Sequence, residues 1–140
     1  MKTLFDSSAF AKRYISEPGS AEVDALCQAA TEVGLCILCV PEILSALNRR
    51  LRERRLTSGD YAAAKSHLLA DVVDADIINL TPPVVVQTTL LLERHLLRTL
   101  DALHVACALV WGAELFVTSD KRQALAARNA GLATRLLAKI

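Results

Sequence analysis

Lys2–Phe10 reads K-T-L-F-D-S-S-A-F, and Glu114–Arg122 reads E-L-F-V-T-S-D-K-R. Each is a short apolar run that halts at an acid, with hydroxyl residues beside it. An apolar run of this length, bounded by polar residues, fits a strand buried on both faces. Such strands belong to parallel sheets covered by helices on either side. Read this way, two stretches more than a hundred residues apart deliver Asp6 and Asp120 to strand ends.

The rest of the chain alternates in the same sense. The pattern predicts a strand over about 2–6 and a helix over about 8–16. E-P-G-S at 17–20 is a turn, with Ser20 as the cap of a helix that runs to about Glu32. Cys36–Val40 reads as the second strand. A helix follows from about Pro41 to Arg55, with Ile43, Leu44, Leu47 and Leu51 on one face. Another starts after T-S-G-D and reaches about Val73. Asp76–Leu80 reads as a short strand, and Pro82 and Pro83 open a helix to about Leu97. Asp101–Trp111 is apolar nearly all round, which predicts a buried helix. A strand over Leu115–Val117, a helix over Asp120–Ala130 and a last strand over Thr134–Leu137 complete the chain. Strands separated by helices predict one α/β domain over residues 1–140, with a parallel central sheet flanked by helices.

At 140 residues, such a domain buries about two thirds of its unfolded surface and needs no disulfide or metal to fold. Hydrophobic residues make up 53% of it, so either the core is large or a partner covers part of the surface. No segment approaches the ~18 apolar residues of a membrane span. Asp6, Lys12 and Arg13 break up the N-terminus in a way no secretory signal does. The expected location is cytoplasmic, where thiols stay reduced. Cys36 and Cys39 form C-x-x-C, but inside an apolar run, and no second pair offers a zinc site. All four cysteines therefore read as small buried hydrophobes.

Of the 15 acids, most need no function. Glu22, Asp24 and Asp60 suit early helical turns, where the dipole favours them. Asp6, Asp101 and Asp120 would serve as helix N-caps. Against that, Ser7, Ser8, Thr99, Thr118 and Ser119 stand beside them as alternative caps, and Glu42 is not a preferred cap residue. Asp6, Glu42 and Asp120 follow three expected strands, and Asp101 opens the buried helix. In an open parallel sheet, ligands bind outside the carboxyl ends of the strands. If these ends converge, four carboxylates share one pocket. Two of them about 4 Å apart repel by roughly 4 kcal/mol at an effective dielectric near 20. A divalent cation makes such a cluster tolerable. Hard oxygen ligands without a convergent His/Cys set favour Mg²⁺ or Mn²⁺ over zinc.

These residues carry a resemblance. L-F-D-S-S-A, then V-P-E-I-L-S-A-L-N-R-R, then L-R-T-L-D-A-L-H-V-A-C-A, then F-V-T-S-D resemble, in that order and spacing, the PIN domain, and within it the VapC-type toxins of toxin–antitoxin pairs. The likeness runs essentially from end to end. It implies a compact α/β/α fold, ribonuclease activity dependent on Mg²⁺ or Mn²⁺, and inhibition by a cognate antitoxin. By motif, Asp6, Glu42, Asp101 and Asp120 take the places of that family's acidic quartet, and Thr118 that of the hydroxyl residue two before the last acid. The implied reaction is in-line attack on an RNA phosphodiester by an activated water. Asp6 and Asp101 are expected as direct metal ligands, and Asp120 directly or through water. Glu42 binds a second ion or orients the water, and Thr118 orients a carboxylate.

Other residues are weighed lower. Ser7 and Ser8 touch substrate or cap a helix, and a covalent serine mechanism lacks its usual neighbours. His104 lies three residues after Asp101, where it bonds that carboxylate, approaches substrate or packs. N-R-R-L-R-E-R-R places five arginines within 49–55. They form either a solvated helix end or a contact for RNA or an antitoxin. Setting the four acids aside leaves 11 against 16 bases, a surface basic by five that suits a polyanion. A phosphotransfer role for Asp6 fails on Ser8, where D-x-D is wanted. The alternative function is a PIN-fold module that binds RNA without cutting it. A homodimer is expected from the apolar content, with helices at 43–55 and 58–73 that one small sheet does not fully cover.

Overall fold

The computed structural model describes residues 1–138. Five strands form one wholly parallel sheet: β1 Lys2–Phe5, β2 Glu32–Cys36, β3 Asp76–Ile78, β4 Leu115–Thr118 and β5 Thr134–Leu136, in the order β3-β2-β1-β4-β5. The helices are α1 Ser7–Phe10, continued by a 3-10 turn over Ala11–Arg13, then α2 Ser20–Ala29, α3 Cys39–Arg52, α4 Ser58–Val73, α5 Pro82–Arg94, α6 Thr99–Trp111 and α7 Lys121–Asn129. This is the α/β architecture with a flanked parallel sheet that the apolar runs predict.

Strand alternation builds the two layers. Leu4 and Phe116 face one way, into a core with Val84 and Leu91 of α5 and the buried run Ala102–Ala108 of α6. Phe5 and Val117 face the other way, into a core with Val23 of α2, Ile43 and Leu47 of α3 and Leu68 of α4. The apolar helix at 101–111 is thus buried as its composition requires. All four cysteines are free, with Cys36, Cys39 and Cys107 buried and Cys27 half-buried.

Several expected boundaries move. The second strand is not 36–40 but Glu32–Cys36; residues 37–40 are a turn and the first residues of α3. The apolar character of L-C-I-L-C-V comes from Leu35, Cys36 and Cys39 entering the core around that turn. Gly34 interrupts the apolar pattern for a packing reason: a Cβ there would stand 2.7 Å from the Trp111 ring. The first helix breaks after Phe10 instead of continuing to 16. The cap of α2 is Gly19, at φ 97°, while Ser20 closes the turn by accepting from the Glu17 amide. Among the described residues no helix is long and apolar enough to cross a membrane.

Candidate active site

The sheet order makes the gap between β1 and β4 the place where successive connections depart in opposite directions, which is where open parallel sheets bind ligands. Phe5 pairs with Val117, so Asp6 and Thr118 come level at the carboxyl ends of the two strands. The Asp6 amide prolongs the ladder by donating to the Val117 carbonyl at 3.1 Å. Thr118 Oγ lies 2.7 Å from Asp6 Oδ2 and accepts the Asp120 amide at 3.0 Å. One threonine thereby joins two of the four acids.

Asp6 is only 2% exposed. Its carboxylate accepts the Ser8 hydroxyl at 2.8 Å on both oxygens and the Ala9 amide at 2.8 Å. It is the N-cap of α1, and Asp120 is the N-cap of α7, accepting from Arg122 and Gln123. The neighbouring hydroxyls do not take over capping: Ser8 turns to Asp6, and Thr118 bridges the acids. Burial lifts the Asp6 carboxyl above its ordinary value, against the lowering effects of nearby His104 and of its hydrogen bonds from Thr118, Ala9 and Ser8. Among the described residues it has no lysine or arginine within ion-pair distance.

Asp101 lies in the first turn of α6 and pairs with Arg98 at 3.1 Å, with Arg98 itself at the surface. Glu42 lies in the first turn of α3, six residues beyond the end of β2, and not directly after a strand. It accepts Ser7 Oγ at 2.8 Å and lies 2.6 Å from His104 Nε2. Burial alone would raise Glu42, but His104, Ser7 and Arg98 together lower it. Burial alone would lower His104, but Glu42, Asp6 and Cys36 together raise it. His104 therefore bonds Glu42 and not Asp101. Its Nδ1 is buried without a partner, so Ser7, His104 and Glu42 do not form a relay for a serine nucleophile.

A cleft of about 900 Å³ opens beside these groups. Asp101, Ser119 and Asp120 line it, with Arg98, Lys121 and Arg122 as its cations. Asp6 and Glu42 are not among the residues that line it. Among the described residues, no three acid, His or Cys side chains stand close enough together to form a ready-made metal group. The donor set still fits a hard divalent cation. It is carboxylate and hydroxyl oxygen, and Asp6 is a buried carboxylate held by neutral donors alone, which is costly without a cation.

Gln123 escaped the sequence reading. It is 1% exposed, its Nε2 donates to the Asp101 carbonyl at 3.0 Å, and its Oε1 lies 2.9 Å from Thr118 Oγ. The one available signal is its place three residues after an N-cap Asp, where a Gln takes part in a capping box.

The fold is an α/β domain with two acids, Asp6 and Asp120, at adjacent strand ends of the sheet's topological switch point. Residues 3–129 match the PIN domain, and the chain belongs to that family. It is 32% identical to Ribonuclease VapC45 of Mycobacterium tuberculosis (strain CDC 1551 / Oshkosh) over 129 residues, covering 91% of this chain and 90% of that one. Its fold is similar to the crystal structure of M. tuberculosis VapC20, a Sarcin-Ricin loop cleaving toxin, with TM-score 0.69, 18% identity and coverage of 94% and 97%. It is similar also to a toxin–antitoxin complex from Klebsiella pneumoniae, with TM-score 0.67, 14% identity and coverage of 87% and 89%.

Proposed function

We propose that the chain is a Mg²⁺- or Mn²⁺-dependent endoribonuclease, the toxin of a toxin–antitoxin pair. One observation carries the reading: the Thr118 hydroxyl ties Asp6 to Asp120 at adjacent strand ends, beside a cleft that Asp101 enters and three cations rim. The ribonuclease name of a relative at 32% identity supports the activity class. The toxin–antitoxin neighbours support an antitoxin as partner.

Asp6, Asp101 and Asp120 would hold the ion, with Glu42 beside it. When bound, it supplies a Lewis acid for the phosphate and lowers the pKa of water. The protein's own part is positional. Thr118 and Ser8 fix the Asp6 carboxylate, leaving it no freedom to turn away. Arg98 holds Asp101 until a stronger cation competes for it. Arg98, Lys121 and Arg122, which line the cleft, would steer RNA to a site whose acids alone would repel it. Glu42, held by Ser7 and His104 on one oxygen, would bind a second ion or orient the attacking water.

Sequencing RNA ends after induced expression tests this. The wild type should generate new 5′ ends at a restricted set of sites in cytoplasmic RNA, and Asp6→Asn should not. An end profile identical for both proteins would leave the alternative, an RNA-binding module that does not cut.

A further inference from the structure

In D-K-R-Q at 120–123, a capping box would have Asp120 accept the Gln123 amide while the Gln123 side chain returns to the Asp120 amide. Only the first half is present: Gln123 N donates to Asp120 Oδ1 at 3.1 Å. The Asp120 amide is instead taken by Thr118 Oγ, at 3.0 Å. This releases the Gln123 side chain, which is buried and reaches away from its own helix. Its amide nitrogen donates to the Asp101 main-chain carbonyl, and its oxygen lies beside the Thr118 hydroxyl.

That carbonyl belongs to the first turn of α6, where the Asp101 side chain enters the cleft. Gln123 thus spans from the residue that joins Asp6 and Asp120 to the backbone that carries Asp101. Ser7 Oγ also approaches His104 Nε2 of α6, at 3.3 Å, but among the described residues Gln123 is the side chain that reaches the Asp101 backbone. Thr118 has one proton and two acceptors in reach, Asp6 Oδ2 and Gln123 Oε1, so Gln123 also competes for the proton that orients Asp6.

We propose that Gln123 is a positioning residue, which sets the distance between Asp101 and the Asp6–Asp120 pair and so fixes the geometry in which a divalent cation is held. This rests on the metal-dependent reading above. Groups of this kind, one bond removed from a ligand, change metal affinity or activity by about 10–100-fold when lost.

Gln123→Met keeps an unbranched side chain of similar length and removes both hydrogen bonds. Gln123→Leu is the second variant, should the first fold poorly. Leu68→Ala, on α4 and away from the cleft, controls for loss of stability alone. Mn²⁺ affinity is read by calorimetry on folded protein, and amide hydrogen exchange over residues 98–104 in EDTA. The expected result is Mn²⁺ bound at least about tenfold more weakly by either Gln123 variant, faster exchange confined to 98–104, and wild-type Mn²⁺ affinity in Leu68→Ala. Wild-type Mn²⁺ affinity in the Gln123 variants overturns the proposal, whatever their exchange does, and reduces Gln123 to a strap between helices. If the unsubstituted protein itself binds no Mn²⁺, the metal reading fails first and the proposal falls with it.

Discussion

At the scale of single residues, the acids are dual-purpose. Asp6 and Asp120 were legible as strand-end carboxylates because an apolar run stops on each. Capping and function are not alternatives here, since both acids cap helices. Ser8 and Thr118, which looked like spare caps, hydrogen-bond the Asp6 carboxylate instead. The role of Gln123 was not legible, since a glutamine early in a helix is ordinarily solvated. The buried Asp6 carries a pH signature. Its carboxyl is held above its ordinary value of 3.8 by burial. Between the unfolded and folded pKa values, the folded state holds the extra proton, so stability falls as pH rises through that window and then levels off. Asp6→Asn removes the titration and lets an amide donate to Thr118. In EDTA its melting temperature should match or fall below the wild type's under pH 3.8, gain on it as pH rises, and keep a constant lead at neutral pH. A difference independent of pH would contradict this. The Glu42–His104 pair runs on another schedule. Glu42, lowered, stabilises above its unfolded value of 4.5, and His104, raised, stabilises below its unfolded value of 6.5. The pair contributes in full between those limits and is lost beyond either folded pKa. Glu42→Gln should therefore cost most stability near pH 5.5, as chemical denaturation across pH would register.

At the scale of elements, helices were easier to place than strands. The buried helix α6 announced itself by composition, while α4 starts at Ser58 rather than after T-S-G-D, because Thr57 caps it by accepting the Asp60 amide. The strand β2 was misplaced because its E-V-G-L-C carries a glycine and an exposed acid, while the turn after it is more apolar. Gly34 is the physical reason. Gly34→Ala should cost about 1–3 kcal/mol, since the new methyl meets the Trp111 ring and overpacking costs that much. Urea denaturation measures it, and a neutral substitution would mean that the ring moves freely. The arginine run has its own element-level reading. Arg49, Arg50 and Arg52 occupy the last turn of α3, where cations suit the dipole. Arg54 follows at φ 59°, a left-handed position that favours glycine. Arg54→Gly should stabilise the fold by about 0.5–1 kcal/mol. If the run also contacts RNA phosphates, the same change should reduce the slope of log affinity against log salt by about one. An unchanged slope returns Arg54 to a purely structural place.

At the scale of the whole molecule, the fold class was legible from alternating strands and helices, but the strand order was not. Order depends on which way each crossover departs, and no local pattern records that. The consequence is that Asp6 and Asp120 are neighbours through β1 and β4, while Glu42 approaches from α3 rather than from a strand end. The surface keeps large apolar residues exposed, among them Val73 at 81% on α4 and Leu96 at 79% after α5. The expected dimer would find apolar surface to cover in such residues. A dimer is expected by light scattering at micromolar concentration, and a clean monomer would count against it. If the strand-end acids hold a divalent cation on which RNA cleavage depends, single-turnover digestion of RNA by purified protein will show it. Wild type in Mg²⁺ or Mn²⁺ should cut, wild type in EDTA should not, and Asp6→Asn or Asp120→Asn should lose at least about a hundredfold in rate with the metal present. Equal cleavage in EDTA, or full activity in both variants, would contradict the account.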